Sequence, residues 1–170
     1  MGCDKAFEDY PLCIVFASNL VSISLYAVGA FIMSRVGLLW AGLYLLYVLV
    51  LELRLLSGGC VNCFYYGRWC AFGRGKLSSL LFKRGDAKKF MAREIGWKDI
   101  IPDFLVSIIP MVAAVALLVM RFSWLMLGLL VVIFLLGFPG TGMVRGLLAC
   151  KYCRQRELGC PAEKLFGKKK

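Results

Sequence analysis

The chain has 170 residues, 61% of them hydrophobic, yet it carries a formal charge of +11 and no histidine. Soluble domains of this size do not need so much apolar content, so the composition predicts a membrane protein with its charges outside the bilayer. The missing histidine excludes His-ligated haem, His-based zinc sites and the commonest general base.

The N-terminal "DKAFEDY" is acidic where a cleaved signal peptide would be basic. "MGCDKA" lacks the Ser or Thr that a myristoylation signal carries at position six, so the N-terminus reads as retained and unmodified. A first apolar run, Tyr10–Ser34, has the roughly 20 residues needed to cross the hydrocarbon core. Its Ser18, Asn19, Ser22 and Ser24 form a polar stripe suited to close helix packing. The second run, Val36–Leu51, reaches spanning length only by continuing past Glu52 and Arg54.

There follows "GGCVNCFYYGRWC", which places Cys60, Cys63 and Cys70 in the spacing C-x2-C-x6-C. Its aromatic residues suit an interfacial belt. The next segment mixes Leu77, Leu80, Leu81, Phe90, Met91 and Trp97 with many cations, which predicts one or two short helices on the membrane surface facing anionic headgroups. The "GRG" at Gly73–Gly75 is too short to mark phosphate binding, and the "RGD" at Arg84–Asp86 is expected in the cytosol and therefore coincidental.

The third run, Phe104–Met120, contains Pro110, which should kink it, and the fourth, Phe122–Val144, ends in "GFPGTG", which should loosen it. The spacing C-x2-C-x6-C then returns in "LACKYCRQRELGC" at Cys150, Cys153 and Cys160, with Pro161 next. Neither C-x2-C is followed by His, which excludes c-type haem attachment.

Charge sets the expected topology. Arg and Lys crowd the segment 57–103 and the tail from 145, whereas the connections at Arg35 and Arg121 carry one basic residue each. Positive charge stays cytoplasmic, so the sequence predicts a protein integral to the cytoplasmic membrane with both termini, the central loop and both triplets in the cytosol. The same topology accounts for the net charge without nucleic acid. The expected partners are membrane lipids and a protein at the cytosolic face.

The repeat reaches beyond the cysteines. "EDYP" precedes Cys60 and "KDIIP" precedes Cys150, with Pro11 lying 49 positions before the first and Pro102 lying 48 before the second. The expected fold is therefore an all-α bundle of four transmembrane helices. It comprises two tandem hairpins, 1–100 and 101–170, in a parallel internal repeat about an axis along the membrane normal, with short interfacial helices.

Cytosolic cysteines are kept reduced, which favours metal ligands over structural disulfides. Soft thiolates select zinc, Cu(I) and iron–sulfur clusters. Cys60, Cys63, Cys70, Cys150, Cys153 and Cys160 are the candidate ligands for zinc or an iron–sulfur cluster, in a subunit that anchors a complex or transfers electrons. No catalytic residue is assigned. Two alternatives stand beside this reading. One is soft-metal transfer, although no Cys or Met pair lines the spans. The other is thiol–disulfide chemistry. Four helices, chain length and paired cysteines are similar to those of quinone-linked disulfide-generating membrane oxidoreductases. Here, however, the triplets follow the second and fourth helices, on the expected reducing side.

Overall fold

The computed structural model describes residues 6–92 and 96–160. The N-terminal "MGCDK", Arg93, Pro161, Lys164 and the final three lysines lie outside the described residues. All the regular elements are helical: α1 (Leu12–Val36), α2 (Leu38–Gly58), α3 (Arg74–Leu81), α4 (Ala87–Ala92), α5 (Trp97–Met120), α6 (Trp124–Cys150) and α7 (Arg154–Gly159). Four of them, α1, α2, α5 and α6, are long and apolar enough to cross a membrane. The second runs past Glu52 and Arg54, as its length required.

By internal contacts the chain divides into two units. The first comprises residues 20–52 and 99–143 and is the middle of the long helices. Its core gathers Leu25 and Ile32 of α1, Tyr44 and Val48 of α2, Val106 and Ala114 of α5, and Ile133 of α6. Small residues let the helices approach. A Cβ on Gly29 would collide with the Tyr44 ring and hydroxyl, and one on Gly137 would lie 2.6 Å from the Ser107 hydroxyl and 3.8 Å from Leu25. One on Gly140 would meet Val21 at 3.8 Å. Thus α1 touches α2 and α6, α5 touches α6, and tyrosines join α2 to α5. Each helix meets two others around the bundle.

One of those tyrosine bonds follows from proline chemistry. Pro110 has no N–H, so the carbonyl four residues earlier, Val106, lacks its helical donor. The Tyr44 hydroxyl supplies one at 3.0 Å. Tyr47 adds a second bond between the two helices, donating to the Pro102 carbonyl at 3.0 Å. Helix α5 continues through both prolines. In α6, Pro139 sits in a wider π-helical turn, Leu136–Gly140, and Thr141 donates its hydroxyl to the Leu136 carbonyl at 2.8 Å. A second π-helical stretch, Val144–Cys150, ends the helix, so the "GFPGTG" segment does loosen it.

Outward faces carry Phe16, Leu20, Ile23, Leu38, Leu45, Leu49, Val112, Val119 and Leu125, all exposed. So much exposed apolar surface is incompatible with water and suits lipid. This all-helical chain therefore has the make-up of a membrane protein.

Candidate functional site: the cysteine unit

The second unit comprises residues 1–19, 53–98 and 144–170, and it holds both triplets. Its core is aromatic. Tyr10, Val15, Tyr65, Ala71 and Ala149 are buried, and Phe7, Phe64, Tyr152, Cys63, Cys70 and Cys153 pack against them. Ring centroids lie 5.4 Å apart for Phe7–Tyr10, 5.2 Å for Phe7–Tyr152 and 5.5 Å for Tyr10–Tyr65.

The two C-x2-C segments form the same tight turn. The N–H of Cys63 donates to the Cys60 carbonyl at 3.3 Å, and that of Cys153 to the Cys150 carbonyl at 3.4 Å. The following turn is also shared: Tyr66 N–H meets the Cys63 carbonyl at 3.1 Å, and Arg156 N–H meets the Cys153 carbonyl at 3.0 Å. The approaches to the two turns differ. Cys60 follows α2 in a 3₁₀ turn, whereas Cys150 is the last residue of a π-helical turn.

The motifs are also tied to each other. Phe64, one residue past Cys63, donates its N–H to the Gln155 side-chain oxygen at 2.8 Å. Arg154, one residue past Cys153, donates its N–H to the Tyr65 hydroxyl at 2.9 Å. Each bond runs from the residue one beyond a middle cysteine to the side chain two beyond the other. Both receiving side chains, Tyr65 and Gln155, are buried.

The N-terminal segment clasps both motifs. Phe7 N–H donates to the Tyr152 carbonyl at 3.0 Å, Tyr10 N–H to the Trp69 carbonyl at 2.9 Å, and Trp69 N–H to the Asp9 carboxylate at 2.9 Å. The Tyr65 hydroxyl donates to the Phe7 carbonyl, and Tyr10 donates to the Ala149 carbonyl. Asn19 of the polar stripe reaches the Phe72 carbonyl at 3.3 Å, which gives that side chain a local structural partner.

Loop glycines complete the first motif. Gly67 and Gly73 take positive φ, +79° and +67°, where side chains are strained. A Cβ on Gly75 would run into the Tyr65 carbonyl and lie 2.6 Å from that of Arg68. Gly75 also donates its N–H to the Cys70 sulfur at 3.4 Å. The "RGD" residues have local roles: Gly85 N–H donates to the Val61 carbonyl at 3.0 Å, and Asp86 accepts from Lys88 N–H at 2.9 Å at the start of α4. The two short helices expected after the first triplet are α3 and α4. Helix α3 buries Gly75 and Ser78 and exposes Leu77, Leu80 and Leu81.

Burial pushes the Cys63 thiol up to about 12 from the usual 9.0, while the Tyr65 N–H opposes the rise and the sulfurs of Cys153, Cys60 and Cys70 add to it. Burial likewise raises Cys153 to about 11, opposed by the N–H groups of Gln155 and Arg156 and aided by the sulfurs of Cys160 and Cys150. Tyr10 and Tyr65 are raised too, chiefly by burial. A bare thiolate is therefore costly here, and a cation bound to it offsets that cost. Backbone N–H groups aimed at sulfur stabilise a metal-bound thiolate further.

No disulfide joins the described cysteines. Among the described residues, no three Cys, Asp or Glu side chains converge closely enough, as they stand, to hold an ion. A cleft of about 220 Å³ opens beside Cys63, lined among others by Asn62, Arg84, Met91 and Gln155.

Compared with protein-family models, curated proteins and solved structures, the chain matches none. What the fold and site define is a class: a helical protein with four helices of membrane-spanning length and a thiol-rich unit that gathers two C-x2-C-x6-C motifs.

Proposed function

We propose that this is a small integral membrane protein whose two cysteine triplets act as one thiolate metal site. The site holds zinc or an iron–sulfur cluster, and the protein serves as a membrane anchor or electron-transfer subunit. The observation that carries this reading is the reciprocal pair of hydrogen bonds, Phe64 to Gln155 and Arg154 to Tyr65, which fastens the two C-x2-C turns together. Thiolates are the soft donors that zinc and iron–sulfur clusters take, and N–H groups already point at Cys63, Cys70 and Cys153. The same reading makes the chain a parallel repeat of 1–100 and 101–170, with the triplets on the cytosolic face. Tyr65 and Gln155 then hold equivalent places in the two halves.

Purification under anaerobic conditions followed by metal analysis and an absorption spectrum tests it. Brown protein with iron and acid-labile sulfide supports electron transfer, and tightly held zinc supports an anchor. Metal-free protein with oxidised cysteines refutes the metal site and favours thiol–disulfide chemistry. Labelling of Cys60 or Cys150 by an impermeant maleimide from outside intact cells refutes the cytosolic placement.

A further inference from the structure

The turn bonds and the crossed bonds of the two motifs all survive exchange of one motif for the other. Cys63 and Cys153 therefore occupy equivalent places beside a local twofold axis. The middle cysteines are also the ones beside the crossed bonds, which start at Phe64 and Arg154. Cys63 lies within electrostatic reach of Cys60, Cys70 and Cys153, and Cys153 within that of Cys150 and Cys160.

Symmetry limits what such thiols can hold. A single tetrahedral ion on the axis would use Cys63, Cys153 and one further equivalent pair, leaving two thiols idle. Two tetrahedral ions related by the axis need eight metal–sulfur bonds. Six thiolates supply eight only when one equivalent pair is shared between both ions. The middle pair is the one flanked by the crossed bonds.

We infer that the six cysteines form one binuclear site for two thiophilic divalent cations of the zinc type. Cys63 and Cys153 bridge the ions, Cys60 and Cys70 complete one, and Cys150 and Cys160 complete the other. This rests on the thiolate reading above and specifies it. Loading releases the six thiol protons to solvent and leaves a net charge of −2 on the cluster, beside the cations Lys151, Arg154 and Arg156. The sulfurs must first be drawn together, and a change of χ1 rotamer swings a cysteine sulfur by about 3 Å.

The test uses the full-length protein in detergent, reduced, freed of metal and titrated with zinc and, separately, with ¹¹³Cd. The inference predicts two ions per chain, no thiol left reactive, and a ¹¹³Cd spectrum of two signals split by coupling through shared sulfurs. Cys63→Ser should lose both ions, whereas Cys70→Ser should keep at least one. The ¹¹³Cd coupling needs no variant, so a Cys63→Ser protein that fails to fold leaves the test intact. One ion per chain with two reactive thiols overturns the binuclear site but leaves the thiolate reading standing. Two ions without coupling also overturn it, in favour of separate sites. Iron with acid-labile sulfide held by four thiols does the same. No bound metal at all overturns the thiolate reading itself.

Discussion

Tyr65→Phe removes one oxygen atom and tests whether the crossed bonds hold the cysteine unit together. The Tyr65 hydroxyl donates to the Phe7 carbonyl and accepts the Arg154 N–H at 2.9 Å, so a single group ties the N-terminal segment and both motifs. The residue is only 2% exposed, and phenylalanine fills the same space, so packing is kept. Each net hydrogen bond is worth about 1 kcal/mol, and a partner left unpaired adds to the loss. Arg154 has an exposed side and its N–H can recover water, which keeps the total near 2 kcal/mol rather than the upper end of that range. For a chain of this size the shift in melting temperature is roughly 4–8 °C. Tyr66→Phe, which loses one bond to the Phe82 carbonyl at 2.7 Å, is the control and should cost about half as much. The assay is thermal unfolding in one detergent, with hydrogen exchange read at the Arg154 amide. A Tyr65→Phe protein that melts within about 1 °C of the parent and exchanges Arg154 no faster would refute the reasoning.

Gly75→Ala should cost about 3 kcal/mol, because its Cβ meets backbone carbonyls that cannot move aside. Gly67→Ala has its nearest neighbour at 4.0 Å and suffers only the positive φ, about 1 kcal/mol; equal melting temperatures for the two would contradict this. Tyr44→Phe should cost about 0.6 kcal/mol in the parent and close to nothing beside Pro110→Ala, which restores the helical donor to Val106; a double-mutant cycle in detergent unfolding measures the coupling, and additive losses would refute it. Reduced, metal-free protein should lose stability in alkali. The fold holds protons on Cys63 and Cys153 above the usual thiol value of 9.0, so that contribution is whole below pH 9.0 and fades as pH rises through about 11 and about 12. Stability measured against pH should flatten over that window in Cys63→Ala.

The spans were legible because apolar length is a local property: four charge-poor runs sufficed, with Glu52 and Arg54 correctly inside the second helix. Local chemistry also foretold the loosened α6 and the short helices α3 and α4. The six cysteines stood out by spacing alone, and the structure gathers them in one unit. What joins them was not legible. Tyr65 and Gln155 share an offset from Cys63 and Cys153 but not a chemistry, so aligning the motifs marks the positions and hides the common role. Phe7 and Tyr10 act across more than 50 residues, beyond the reach of any local pattern. At Pro110 a sequence shows the missing donor but not the Tyr44 hydroxyl that serves the freed carbonyl.

The proposed binding of metal by the two triplets through sulfur alone is open to direct measurement. X-ray absorption at the metal edge of the protein purified without oxygen tests it most directly. The account predicts a first shell of four sulfurs per metal, at about 2.3 Å if the metal is zinc. A shell of oxygen or nitrogen donors, or one unchanged by replacing Cys63 and Cys153, would contradict it.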